Sequence, residues 1–236
     1  MEDAAGPDGP LRFYRRTYGK VQARHPGRWL TKDEAFGTLL ASCADDGLPG
    51  LRDELVLRLG LLGLRASEIG RLRIGDLAID GKQTHLSWTG KGYKPRSVTA
   101  GQAFTVALQR WLDAYTNGLG NVPAQGDPLI CPQITTRWAH LAGINWGTPL
   151  RDARNGVWRY VTTRAQTAGL GHVAPHDLRR TAAGILHRSK DENGRHDFDL
   201  LDIQKVLGHS DPATTMRCYL DPMDNEVIDR AADFLD

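Results

Sequence analysis

Apolar residues recur at helical spacing through the first part of the chain. Thr31 and Glu34 have the spacing of a capping box, which predicts the start of a helix. The apolar face of this helix would consist of Phe36, Leu39 and Leu40. After a polar loop, a second helical pattern is formed by Leu51, Leu55, Leu59 and Leu62. Further leucines lie between them, so we expect the second helix to be buried on most sides.

The middle of the chain changes from helical to strand periodicity. Residues 63–65 end the second helix, and Ser67 is placed to cap a short third helix. Residues 77–100 alternate in patches around glycine-containing turns, which predicts two or three antiparallel strands. Helical spacing resumes at Gln102, and further helices are expected at about 152–168, 176–188, 200–207 and 212–219. The chain is therefore predicted to be an α+β protein, mainly helical, with one small antiparallel β-sheet.

The composition is that of an ordinary globular protein. Of 236 residues, 40% are hydrophobic and 25% are charged, and no run of about 18 uncharged apolar residues predicts a membrane span. The N-terminus lacks the basic and apolar regions of a secretory signal. Cys43, Cys131 and Cys218 are scattered, which fits a reducing compartment and argues against a cysteine-based zinc site. We therefore expect a cytoplasmic protein with no membrane partner.

The net charge of +2 conceals two unequal parts. Residues 1–220 hold 29 Lys and Arg against 22 Asp and Glu, a charge of +7. Residues 221–236 hold one Arg against six Asp and Glu, a charge of −5. This pattern permits a polyanionic partner for the main body of the chain but does not by itself identify one.

Two basic patches in the first half are candidates for anion binding. Arg65 lies where a buried apolar helix ends, so its guanidinium is expected to be partly desolvated and to need a fixed anion. A structural ion pair with Glu68, three residues later, would satisfy the same need. Lys91 lies in a glycine-flanked turn before Lys94 and Arg96, where lysines are most often simply solvated. The turn lacks the spacing of a phosphate-binding P-loop.

A third patch places a histidine and an arginine at the start of a helix. Pro175 suits the first helical turn, so His176 lies at the positive helix end, which favours its neutral form. Arg179 lies one turn later on the same face, which makes an anion site with an acid–base group attached. His172 and His176 have the spacing of zinc ligands, but Pro175 separates them and no Glu follows His172. No metal is therefore expected.

The fourth patch lies near the C-terminus. Gly208 can end one helix and residues 211–212 can begin another, which leaves His209 in the joint. Tyr219 follows ten residues later, and a single tyrosine in such a place is most often a core or surface residue. Cys218 has no neighbour placed to activate its thiol, so it is interpreted as a packing residue.

The order of the four patches is more specific than any one of them. The motifs GLRASE, GKGYKPR, HDLRRT and LGHSDPATT followed by Tyr219 make the chain resemble the catalytic domain of the tyrosine recombinases, the phage integrase family of site-specific DNA recombinases. The similarity runs from about Thr31 to Tyr219. It implies the tyrosine-recombinase catalytic-domain fold, no cofactor and double-stranded DNA as the partner.

The resemblance also implies which residues surround the scissile phosphate. Arg65 and Arg179 would hold its non-bridging oxygens, and His209 would donate a hydrogen bond to one of them. Glu68 would support Arg65 from behind. The residues expected to contact DNA outside the reacting phosphate are Lys94, Arg96 and Arg180.

Three further residues would take part in bond formation and proton transfer. By the same resemblance, Tyr219 would attack phosphorus to form a 3′-phosphotyrosine, while Lys91 would protonate the leaving 5′ oxygen. His176 would help to remove the tyrosine proton. No metal is needed for such a transfer where cations already surround the phosphate.

The expected organisation has three parts. Residues 1–30 would form a linker or basic arm, and residues 31–220 the catalytic domain. Residues 221–236 would form a tail helix that either contacts another protomer on DNA, as the resemblance implies, or folds back on its own domain. Family members carry a helical core-binding domain before the catalytic domain, and only about 30 residues precede Thr31 here. We therefore expect an excised catalytic domain or a minimal protein, with excision favoured.

Two alternatives remain open at this point. A type IB topoisomerase or a resolvase would use the same chemistry, and relaxation of DNA without strand exchange would favour it. A non-catalytic module would only bind DNA, although such a module has no need of the nucleophile Tyr219.

Overall fold

The computed structural model describes residues 29–90, 92–134 and 143–208 of the chain. Its α-helices are α1 (Gly47–Leu61), α2 (Ala66–Ile69), α3 (Gln102–Leu119), α4 (Ala153–Thr167), α5 (Pro175–Arg188) and α6 (Leu200–Leu207). Its strands are β1 (Leu77–Asp80), β2 (Gln83–Thr89) and β3 (Pro95–Ala100). Within the described ranges the chain is therefore mainly helical with one small sheet, as the periodicity predicted.

The described chain enters its core through a capped helical segment. The Thr31 amide donates to Glu34 at 2.8 Å and the Glu34 amide donates to the Thr31 hydroxyl at 3.1 Å, so the predicted capping box is present. A π-helical segment follows at Glu34–Leu39, and a 3₁₀ turn follows at Ala41–Cys43. Leu39 is buried, but Phe36 is 44% exposed. The prediction that Phe36 shares the apolar face was wrong, because the wider π turn rotates successive side chains by less than an α turn does.

Helix α1 is the centre of the core, and its burial on most sides is confirmed. Leu55, Val56, Leu57 and Leu59 are all at most 1% exposed. A charged cluster is buried beside them, in which Arg164 of α4 donates to Asp53 at 2.7 Å and to Asp46 at 2.6 Å. These bonds join α4 to α1, so the two helices that pack against α2 have a fixed spacing.

The sheet is a three-stranded antiparallel meander in the order β1-β2-β3. Leu86 and Trp88 of β2 face the core, and the residues that alternate with the buried positions along the strand face solvent. Thr89 pairs with Pro95, so β2 and β3 are joined by the turn that contains Lys91. The Gly90 amide closes this turn by donating to the Lys94 carbonyl at 2.8 Å. The strands thus present Gly90 and residues 92–94 at one end of the sheet.

The short helix α2 begins two residues earlier than its sequence indicated. Arg65, in an extended conformation, is the N-cap of α2, and Glu68 accepts from the Arg65 amide at 2.8 Å. Ser67 lies inside the helix, so the prediction that it is the cap was wrong. The Glu68 carboxylate, three residues after the cap, satisfies the free amide of Arg65 at the start of the helix.

The last two described helices carry the remaining patches. Pro175 is in the first turn of α5, as predicted, and His172 lies before that helix. Helix α6 is capped by Asp199 and ends at Gly208, which is left-handed with φ 59°. Across the described ranges, no helix is long and apolar enough to cross a membrane.

Candidate active site

Arg65 lies at the junction of α1 and α2 with its side chain partly exposed. Its Nη1 donates to Glu68 Oε1 at 2.9 Å, and the Glu68 side chain is 5% exposed. Its Nη2 is 3.5 Å from the Gly208 carbonyl oxygen at the end of α6. The ion pair with Glu68 does not prevent Arg65 from binding an anion. Glu68 holds one edge of the guanidinium, while about a third of the Arg65 side chain remains open to solvent.

Arg179 approaches the same place from α5 and is 2% exposed. Its Nη1 donates to the Gly63 carbonyl in the loop after α1, and its Nη2 donates to the Leu207 carbonyl at the end of α6. A buried cation held by two main-chain carbonyls has a fixed orientation, because each bond restrains the planar guanidinium. Three segments distant in sequence are joined through this side chain.

His176 lies in the first turn of α5, one helical turn before Arg179, and is solvent-exposed. Partial desolvation by the surrounding protein lowers the pKa of its imidazole, and the positive charges of Arg180 and Arg179 lower it further. The nearby carboxylate of Asp177 opposes this shift. The imidazole is therefore neutral at pH 7, the form that can accept a proton.

The three residues proposed from sequence to contact DNA have different surroundings. Lys94 is exposed beside the turn between β2 and β3. Arg180 lies next to Arg179 on α5, with Nη1 3.9 Å from Asp177 Oδ1. Arg96 is instead enclosed by protein, with 13% of its side chain exposed and its guanidinium between Glu68 and the Val206 carbonyl.

An open groove of about 630 Å³ runs beside Arg65. One wall is formed by α2 and the residues after it, including Arg71 and Arg73, and the other wall is the β2–β3 turn with Gly90 and Tyr93. Tyr93 is 93% exposed and has a positive φ of 58°. Arg71 and Arg73 were missed in the sequence reasoning. The sequence could have indicated them as part of the basic site, since both follow Arg65 within eight residues in the run GLRASEIGRLR.

The structure thus brings Arg65, Glu68, His176 and Arg179 to one side of the domain. Lys91, His209 and Tyr219 lie outside the described residues. In sequence, Lys91 belongs to the turn that borders the groove, and His209 follows directly after Gly208. Among the described residues, no group of three or more His, Cys, Asp or Glu is arranged to hold a metal ion.

Comparison with protein families agrees with the motif order. The model of the phage integrase family matches residues 28–226. The chain belongs to this family. The resemblance inferred from the four patches is therefore confirmed.

The relatives within the family are bacterial tyrosine recombinases. The chain is 32% identical over 190 residues to tyrosine recombinase XerD of Neisseria meningitidis serogroup B, a match that covers 79% of this chain and 56% of the relative. It is 32% identical over 201 residues to tyrosine recombinase XerC of Corynebacterium efficiens, covering 85% and 52% respectively. The chain thus spans about half the length of these relatives.

Solved structures of recombinases share the fold. The XerH site-specific recombinase bound to its palindromic difH substrate aligns with a TM-score of 0.64 at 22% identity, covering 91% of this chain and 55% of that chain. The XerA recombinase aligns with a TM-score of 0.60 at 23% identity, covering 96% and 73%. The predicted fold class, the mainly helical α+β fold of tyrosine-recombinase catalytic domains, is confirmed.

Proposed function

We propose that this chain is the catalytic part of a site-specific DNA recombinase, which cleaves and rejoins strands through a 3′-phosphotyrosine. One observation carries the proposal most strongly. Arg65, His176 and Arg179 come from separate segments of a member of the phage integrase family, yet the two arginines meet at the carboxyl end of α6 and their charges both act on the neutral base His176. An anion with a leaving group is the substrate that such a set of residues suits.

The chemistry follows from these groups. The Tyr219 oxygen forms a bond to phosphorus as the bond from phosphorus to the 5′ oxygen breaks, and Lys91 gives a proton to that oxygen. His176 accepts the tyrosine proton. Since a tyrosine pKa is about 10, ionisation at pH 7 costs about 4 kcal/mol, and nearby cations reduce that cost. The phosphotyrosine retains the bond energy, so rejoining requires no nucleotide.

The arginines supply the electrostatic part of the catalysis. In the transition state, negative charge is spread over the non-bridging oxygens, and donors already oriented by protein stabilise it without reorganisation. Arg179 has such orientation from its two carbonyl partners, and Arg65 has it from Glu68. His209 adds a further donor in this proposal.

Double-stranded DNA is the proposed substrate, with further protomers of the chain bound beside it. The cations along the groove, including Arg71 and Arg73 with Lys94 nearby, are suited to the phosphates that flank the reacting one. Residues 221–236 are proposed to form a helix that binds a neighbouring protomer. Arg180 is proposed as a contact to the phosphate backbone near Arg179.

The enzymatic function is tested with a nicked DNA duplex that carries a sequence to which the chain binds. The nick lets the short cleaved fragment diffuse away, so the covalent complex accumulates and survives denaturing electrophoresis. We expect an adduct with the wild-type chain and none with Tyr219→Phe, which keeps the ring and removes the nucleophilic oxygen. Absence of the adduct when the wild-type chain saturates the DNA would leave only the DNA-binding alternative. Relaxation of supercoiled DNA without exchange products would indicate the topoisomerase alternative.

A further inference from the structure

Arg96 is enclosed by protein groups, of which only Glu68 has a role in the proposed site. Its Nη2 donates to the Val206 carbonyl at 3.0 Å, and its Nη1 lies 3.7 Å from Glu68 Oε2. Its guanidinium carbon is 5.2 Å from the centroid of the Trp88 ring. The side chain thus crosses from β3 to the end of α6, a separation of 110 residues in sequence.

Two glycines leave the space that this crossing needs. A Cβ added at Gly208 would lie 2.5 Å from Cζ of Arg96, and a Cβ added at Gly90 would lie 2.9 Å from its Cδ. Gly208 also has the left-handed φ of 59° that favours glycine. The Arg96 side chain is therefore enclosed between the two glycine-containing motifs, one before Lys91 and one before His209.

The end of α6 is held by three guanidinium groups at once. Arg96 donates to the carbonyl of Val206, Arg179 to that of Leu207, and Arg65 lies 3.5 Å from that of Gly208. The last carbonyls of a helix lack partners within the helix and carry its negative pole, so cations stabilise them. Arg96 also shares Glu68 with Arg65. It is therefore connected both to a proposed phosphate-binding arginine and to the helix that leads into His209.

We propose that Arg96 is a positioning residue that fixes the end of α6 against Glu68 and so orients Arg65 and the segment beginning at His209, and that it does not contact DNA. This rests on the proposed recombinase function. Desolvation lowers the pKa of Arg96, and the carboxylate of Glu68 opposes the shift; a guanidinium nevertheless remains charged. Because a misplacement of about 1 Å can reduce a rate about 100-fold, loss of this contact would affect cleavage without affecting DNA affinity.

The test compares Arg96→Met and Arg96→Lys with the control Lys82→Met. Lys82 is exposed at the β1–β2 turn, at the opposite end of β2 from the Lys91 turn, so its replacement removes a cation from the same sheet away from α6. Three quantities are measured: hydrogen exchange of the amides of residues 206–208 without DNA, the Kd for DNA, and the single-turnover rate of adduct formation on saturating nicked duplex.

For Arg96→Met we expect at least about tenfold faster exchange at these amides and a cleavage rate reduced about 10- to 100-fold, with an unchanged Kd for DNA. Arg96→Lys retains the charge but not the fork of donors, so it should recover part of the rate. Gly208→Ala, which would displace the Arg96 side chain, should reproduce the defect and should cost less when combined with Arg96→Met. Lys82→Met should match the wild-type chain in all three quantities.

A weaker Kd with unchanged exchange and cleavage would identify Arg96 as a DNA contact and overturn the proposal. Faster exchange with an unchanged cleavage rate would also overturn it, since the contact would then be structural only. Should the wild-type chain form no adduct, the proposed function fails separately. The exchange measurement would still decide whether Arg96 holds the end of α6. If Arg96→Met does not fold, Arg96→Lys and Gly208→Ala give the same comparison.

Discussion

At the scale of single residues, desolvation and the charges around His176 together decide which form of its imidazole is present. The ring lies at the amino end of α5, beside Arg179 and Arg180, and its pKa is lowered. Asp177 pulls in the opposite direction but does not overcome desolvation and the two cations. A base of this kind remains able to accept a proton at a pH where an ordinary histidine would already be protonated.

This arrangement predicts the pH dependence of cleavage. The single-turnover rate at saturating DNA should rise with pH through the lowered pKa of His176 and level off above it, because only neutral imidazole accepts the tyrosine proton. Arg180→Gln removes the largest charge effect, so it should move this acidic limb to higher pH. Arg195→Gln, in the exposed loop beyond the other end of α5, should not move the limb. An acidic limb unchanged by Arg180→Gln would exclude His176 as the titrating group.

The contacts of Arg65 and Arg96 show which features of the site could be predicted from the sequence and which could not. Arg65 and Glu68 are three residues apart, so their pairing could be proposed from spacing alone, and the ion pair is present. The contact of Arg96 with Val206 depends on the packing of β3 against α6, and nothing local to either segment indicates it. The sequence therefore identified Arg96 as a basic residue near the site but not as a buried one.

At the scale of elements, the short helix α2 depends on its neighbours for its position. Four residues cannot form a stable helix alone, and α2 packs directly on the start of α4. Gly70, which ends α2, allows this close approach: a Cβ there would lie 2.6 Å from the Ala153 carbonyl oxygen and 2.8 Å from its Cα. Main-chain atoms cannot move aside as the end of a side chain can.

We therefore expect Gly70→Ala to lower the free energy of unfolding by about 1–3 kcal/mol. The displaced α2 carries Glu68 and follows Arg65, so adduct formation should also be slower at saturating DNA. Gly126→Ala is the control, because a Cβ there meets no atom within 4 Å. Urea denaturation measures the stability of both variants. Equal stability of the two would show that the α2–α4 contact is not as tight as the structure has it.

The order of the helices and strands could be predicted from the sequence because most of them have a periodic pattern of their own. Long periodic segments such as α1 and α3 carry their own signal, because burial of one or more faces repeats along the helix. The π-helical segment at Glu34–Leu39 and the cap of α2 at Arg65 carry no such signal. The cap at Arg65 depends on Glu68, three residues later, and a pattern of α-helical spacing does not indicate a π-helical turn, so the exposure of Phe36 could not be read from the spacing.

At the scale of the whole molecule, charge and hydrophobicity separate the two ends of the chain. Residues 1–220 carry +7, and Arg65, Arg71 and Arg73 border the groove. Residues 221–236 carry −5 and contain an apolar pattern at helical spacing, formed by Val227, Ile228, Ala231, Phe234 and Leu235. An acidic segment is unsuited to lie on DNA, but an amphipathic helix is suited to a neighbouring protomer.

Deletion of residues 221–236 should therefore abolish cooperative binding of two protomers to one duplex. Binding of a single protomer should be unchanged or slightly tighter, because six carboxylates are removed from a protein that approaches a polyanion.

The combined change Asp229→Asn and Asp233→Asn is the matched control: it removes part of the repulsion but keeps the apolar pattern, so cooperativity should persist. Titrations of duplexes with one and two binding sites measure both quantities. If the deleted chain binds the two-site duplex as cooperatively as the intact chain, protomers contact one another through another surface. Loss of cooperativity in the Asn variant would instead assign the contact to charge, since its apolar residues are intact.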